Sequence, residues 1–88
     1  MITRAQIDSV AERLAGQSID ERIIDTLRKE FTEIHFTYCM DDDVIAASPV
    51  LESELFNLYL IDSRNHCLCF TQDETVASGI VVAEIEAA

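Results

Sequence analysis

The sequence predicts a single α+β domain, with two N-terminal helices packed on one face of a mainly antiparallel sheet of about four strands. Three observations carry that expectation. Apolar residues recur at helical spacing as far as Phe31, the period then drops to two, and turn residues divide the remainder into short strand-length runs. The chain of 88 residues suffices for one domain, taken as residues 1–88, and its 49% hydrophobic content is that of a packed globule. There is no repeat, low-complexity segment or internal boundary.

The first element opens at "TRAQ", where Thr3 and Gln6 have the spacing of a capping box that satisfies otherwise orphaned backbone N–H groups. Ile7, Val10, Ala11 and Leu14 follow at helical spacing, and Gly16 is a left-handed stop. Ser18 and Glu21 offer a second capping box. Ile19, Ile23, Ile24, Leu27 and Phe31 form the next apolar stripe, ending near Lys29, a base well placed for the helix dipole. The short link makes the two helices neighbours, as a hairpin or a corner. A helix-turn-helix would have this outline, but the neutral charge of the segment argues against DNA binding.

In "IHFTYCM", Ile34, Phe36, Tyr38 and Met40 alternate with His35, Thr37 and Cys39, the pattern of a half-buried strand. Residues 41–54 have no clear period, and Pro49 forbids a central strand, so they read mostly as connection. "LFNLYLID" and "HCLCFTQ" flank "SRN" as a β-hairpin. A three-residue loop there pairs 62 with 66, 60 with 68 and 58 with 70, which sets Phe56, Leu58, Leu60, Leu68 and Phe70 on one face. "DETVASG" suits a helical turn with Asp73 as cap and Gly79 as stop. The last strand, "GIVVAEI", is apolar on both faces and therefore suits a position with neighbours on both sides.

Charge narrows the function. The net charge is −11, yet through Lys29 five acids balance five bases; from Glu30 onward twelve acids face one base, Arg64. Phosphate neutralisation needs Lys and Arg, so nucleic acid is not an expected partner. No apolar run has the length of a membrane span, and no basic segment followed by an apolar one opens the chain. Three cysteines, an odd number with Cys67 and Cys69 two apart, do not suggest a disulfide framework, and reduced thiols fit a cytoplasmic setting. A basic protein surface or a metal cation is the partner that such a field attracts, although solubility alone also accounts for it.

Alternation collects the chemically capable side chains on the sheet face away from the helices: His35, Thr37, Cys39, Asn57, Tyr59, Ile61, Cys67 and Cys69. One reading is a thiolate metal site with Cys39, Cys67, Cys69 and His35 as donors. Against it, cysteines at i and i+2 on a strand lie about 6.5 Å apart at Cα, and no knuckle-type turn is present. Packing is the plainer role, because cysteine behaves as a small hydrophobe. A nucleophilic thiol with His35 or His66 as base is also weak: His66 points away from Cys67 by alternation, His35 shares the cysteine face but serves only if its strand neighbours the hairpin, and no glycine-rich oxyanion turn is visible. Asp41, Asp42 and Asp43 follow Tyr38 one residue too late for the metal-holding Tyr-x-Asp-Asp element of polymerases, and the calcium-loop pattern is absent. They read as a solvated strand end.

"EIHFTYCMDDD", "FNLYLIDSRNHCLCFT" and "ASGIVVAEI" together resemble a small, uncharacterised bacterial protein family whose members are encoded beside nitrogen-fixation genes. The resemblance covers most of the chain from Glu33 onward. It implies an accessory role in nitrogen fixation and carries no catalytic motif to any residue here.

The function expected is therefore a non-enzymatic acidic interaction or accessory protein, with no cofactor. Its partner would be a protein with a basic or apolar surface. The candidate interaction surface is Asn57, Tyr59, Ile61, Asp41, Asp42 and Asp43. The alternative is a thiolate metal-binding module on the Cys39, Cys67 and Cys69 face. Two helices can cover only one side of such a sheet, so Tyr59, Ile61 and Val81 or Val82 are expected to stand partly exposed until a partner, most simply a second copy, covers them.

Overall fold

A computed structural model describes residues 2–44, 47–62 and 69–85. Helix α1, Arg4–Leu14, begins with the expected capping box: Thr3 Oγ1 accepts from the Gln6 N–H at 3.2 Å, and Gln6 Oε1 accepts from the Thr3 N–H at 2.9 Å. Gly16, just past the end, has φ +73°, the left-handed conformation that glycine adopts without steric cost. Helix α2, Glu21–Glu30, departs from expectation at its start. Asp20, not Ser18, is the cap, with Oδ1 accepting from the N–H groups of Arg22 at 3.0 Å and Ile23 at 3.1 Å. A carboxylate next to the first turn both accepts these bonds and meets the positive end of the dipole.

The strands are β1 (His35–Met40), β2 (Leu51–Glu52), β3 (Phe56–Asp62), β4 (Cys69–Thr71) and β5 (Gly79–Glu84). Their order is β1-β5-β3-β2, with β4 also on β3, so the α+β class is as expected but the sheet has five strands and is mixed. β1 and β5 are parallel; the other pairs are antiparallel. From β1 the chain crosses to the far edge of the sheet, where Leu51–Glu52 forms β2, and then turns back into β3. β3 therefore runs opposite to β1 with a gap between them, and β5 fills it. Having apolar side chains on both faces, β5 takes the central place that its composition suits.

The hairpin register differs from the expected one. Leu60 pairs with Thr71, Ile61 with Phe70 and Asp62 with Cys69, so six residues, 63–68, separate the paired ends. The even number exchanges the faces of the second strand. Phe70 thus joins the Tyr59 and Ile61 face, where its ring meets Tyr59 edge-on at 5.6 Å, and it stays 46% exposed. The proposed loop Ser63–Asn65, with His66, Cys67 and Leu68, lies outside the described residues. Gly79 is also not a helix stop. It opens β5, where a Cβ would come within 2.8 Å of the His35 carbonyl oxygen and 2.9 Å of Ile61 Cγ1. Asp73 does cap the turn before it, accepting from Thr75 N–H at 3.0 Å.

The helices bury Ile7, Val10, Leu14, Ile24 and Leu27 against Phe36, Phe56, Leu58, Leu60, Ile80 and Val82. The opposite face is not open. Tyr59, Ile61, Val81 and Ala83 form a second buried cluster, over which Cys39, Val44 and Ala47 pack. Tyr59 is 5% and Ile61 6% exposed, so the expected exposure of this face is corrected. The connection after β1, through Val44 and Ala47, closes much of it.

Candidate functional site

β1, β3 and β5 converge at one end of the sheet, because Met40 and Phe56 both pair with Glu84. The tyrosines use the carboxylates gathered there. On the helix side, Tyr38 donates its hydroxyl proton to Glu84. On the other side, Tyr59 donates to Asp41 Oδ1 at 2.9 Å, and Asn57 Nδ2 donates to the same oxygen at 3.0 Å. The accepting Glu84 carboxylate, with burial and negative charge adding to it, pushes the Tyr38 phenol up to about 12. Burial, then the bond to Asp41, raises the Tyr59 phenol as well.

Asp41, Asp42 and Asp43 form a single 3-10 turn directly after β1. Their roles differ. Asp41 is half-buried and bonded, and it fastens the connection over the second cluster; Asp42 and Asp43 are exposed. Neither of those two, nor exposed Glu54, has a hydrogen-bond or ion-pair partner among the described residues. The aspartate triplet is thus one structural carboxylate and two solvated ones.

The thiolate donors are not brought together. His35 and Cys39 share a strand and a face, but four residues of extended chain set them about 13 Å apart. Cys39 pairs with Ala83 beneath the connection, whereas Cys69 pairs with Asp62 and so falls on the opposite face, exposed. Cys67 lies outside the described residues. Among the described residues no group of three or more His, Cys, Asp or Glu side chains is placed to hold a metal. Burial, with the negative charges of Asp43 and Asp41, raises the Cys39 thiol, which favours the unreactive protonated form. With His35 out of reach along the strand, these two make no nucleophile-base pair.

Sequence reasoning missed the Glu84 bond and a shallow groove beside it. Gln17, Ser18 and Ile19 from the helix link, Leu55 from the turn before β3, and Glu84 and Ile85 at the end of β5 line this groove, of about 190 Å³. The Ile85 N–H donates to the Leu55 carbonyl at 2.9 Å and holds its two apolar lips together. Finding the bond required the parallel pairing of β1 with β5, for which a glutamate ending an apolar strand was the one signal, and finding the groove required the end of β5 to meet the start of β3.

No helix among the described residues is long and apolar enough to cross a membrane. No curated protein and no solved structure matches the chain. One family description does, over residues 8–85, which takes in α1 from its second turn, all of α2 and all five strands. The chain belongs to the family of unknown function DUF6129.

Proposed function

We propose that this chain is a non-enzymatic accessory protein that docks an acidic surface on a basic surface of another protein. The observation that carries this reading is the sheet end itself. Asp42, Asp43 and Glu54 stand exposed without partners there, and the whole sequence from Glu30 onward supplies one base against twelve acids. The bases of the N-terminal third are partly committed elsewhere: Arg13 pairs with Glu30 at 3.0 Å and Arg28 with Asp25 at 2.9 Å. Exposed pairs of this kind add little stability, but they occupy these two guanidinium groups. Uncompensated carboxylates speed encounter with a basic partner and select against acidic ones. A second copy carries the same charge of −11, so a homodimer is the less favoured partner at low salt.

The resemblance to a bacterial family encoded beside nitrogen-fixation genes supports that process as the setting. The thiolate module has no comparable support, since Cys39 and Cys69 occupy opposite faces. The test is capture of a partner from the native host, its purification, and measurement of affinity over a range of salt. Neutralising Asp42→Asn, Asp43→Asn and Glu54→Gln together should weaken binding and flatten its salt dependence. A partner bound equally by the neutralised variant, or without regard to salt, overturns the reading.

A further inference from the structure

The groove at the acidic end says more about the partner. In it an exposed large apolar side chain, Leu55 at 46%, meets the nearly buried Ile19 and the half-buried Ile85. The depression lined by Phe70, by contrast, is otherwise bordered by Ala47, Ser48, Thr71 and Gln72 and has no carboxylate in its lining. Its volume of about 190 Å³ lies below the roughly 300–1,000 Å³ of small-molecule sites, and suits a single side chain better than a cofactor. Glu84, which accepts from Tyr38, lines it; exposed Glu54 precedes Leu55 in the chain, and Asp20, the cap of α2, follows Ile19 and lines the neighbouring depression. One base, Arg22, lines that polar depression with Gln17, Ser18 and Asp20. An apolar floor with an acidic border is complementary to an apolar side chain flanked by positive charge.

We propose that this groove takes an apolar side chain from a lysine- or arginine-bearing segment of the partner protein. The inference rests on the docking reading above and adds a position and an anchor to it. The anchor gives affinity through buried apolar area, and the flanking charges give orientation, the usual division between the centre and rim of an interface. Leu55 and Phe70 are both 46% exposed, yet they differ in setting. Phe70 sits on β4 beside the far end of β3, against Ile61, while Leu55 lies in the acidic border.

The experiment uses two fluorescent lysine-rich peptides, identical except for a central leucine in one and a serine in the other. Binding to the full chain is followed by anisotropy at low and high salt, with amide shifts recorded on the wild-type protein. The leucine peptide should bind about tenfold more tightly, as expected for one buried aliphatic side chain. It should shift the amides of Gln17, Ser18, Ile19, Leu55 and Ile85. Leu55→Ser should abolish the preference for leucine, and Phe70→Ser should retain it. Equal, salt-sensitive binding of both peptides overturns the groove but leaves docking by charge intact. A preference that survives Leu55→Ser, or is lost equally in Phe70→Ser, also overturns it. The amide shifts decide the matter should Leu55→Ser fold poorly. If neither peptide binds at low salt, the groove and the charge reading fall together.

Discussion

The two faces of this sheet are closed by opposite means. On one, two capped helices lay regular apolar stripes across Leu58, Leu60, Ile80 and Val82, each fully buried. On the other, an irregular connection lies over Tyr59, Ile61, Val81 and Ala83, and Asp41 fastens it with hydrogen bonds from Tyr59 and Asn57. The first closure is made of area and is insensitive to any single polar atom. The second is made of less area and one carboxylate. A sheet face can therefore be removed from water without a second layer of secondary structure, provided that a polar group fixes the covering chain.

The helix face should give the largest single effect. Leu58→Ala removes a large side chain at zero exposure and should cost about 2–5 kcal/mol, read from urea unfolding. A loss below ~1 kcal/mol would remove this face from its place as the main source of stability. On the second face the corresponding change is Asp41→Ala, which leaves the Tyr59 hydroxyl and the Asn57 amide without their acceptor. It should cost about 1.5–3 kcal/mol, the range for hydrogen bonds to a charged group. Asp42→Ala and Asp43→Ala, at exposed and unpartnered positions, should stay within about 0.5 kcal/mol of wild type. Equal costs at all three positions would show that Asp41 does not fasten the connection. Cys39 supplies a second readout: with the cover loosened in Asp41→Ala, its thiol should react faster with an alkylating reagent at a given pH.

What could be read in advance follows the same division. Ile7, Val10, Leu14, Ile24 and Leu27 announce the helix face because period and burial agree along one local segment. The even positions of β1 and β3 were equally legible; those of β5, apolar on both faces, were not. Legibility ended where the answer depends on residues distant in sequence. The parity of the β3–β4 connection set the face of Phe70 and Cys69, and an argument from apolar matching chose the wrong parity. Phe70 finds an aromatic neighbour, Tyr59, on the face to which it was not assigned. The cover was invisible because 41–49 has no period, and Asp41 looks like Asp42 and Asp43 until Tyr59 and Asn57 stand beneath it. Of the candidate surface, Asp42 and Asp43 remain exposed and Tyr59 and Ile61 do not. The groove edge at Leu55 and Ile85 needed the end of β5 to meet the start of β3, a contact that no local pattern announces.

Gly79 tests how closely the second face is packed at its far end. A Cβ there would press on the His35 carbonyl oxygen at 2.8 Å and on Ile61 Cγ1 at 2.9 Å, and the carbonyl belongs to the backbone of β1. Gly79→Ala should therefore cost about 1–3 kcal/mol through overpacking. Gly16→Ala meets no atom within 4 Å, so any loss there reports only its left-handed backbone, on the order of 1 kcal/mol. Gly79→Ala without loss would mean that β1 can separate from the sheet at little cost.

The smallest difference expected between the faces is in the titration of their tyrosines, of which the chain has two. Tyr38 belongs to the helix face and donates to Glu84; Tyr59 belongs to the covered face and donates to Asp41. Both phenols are raised, Tyr38 to about 12 chiefly by the bond to Glu84, and Tyr59 by burial and then by the bond to Asp41. A phenol raised in the folded state favours folding while it is protonated. Its contribution is complete below the unfolded value of about 10 and declines as pH rises from there through the folded value. Stability should thus fall between about 10 and about 12, and Tyr38→Phe should reduce the decline over that window. Ultraviolet titration of Tyr38→Phe and Tyr59→Phe isolates each remaining phenol. In Asp41→Ala the Tyr59 step should move down towards the ordinary phenol range, because the acceptor and its charge are gone, while the Tyr38 step stays. If both steps move together in that variant, the two faces are not independently closed at this end of the sheet, and the Glu84 and Asp41 bonds belong to one coupled network.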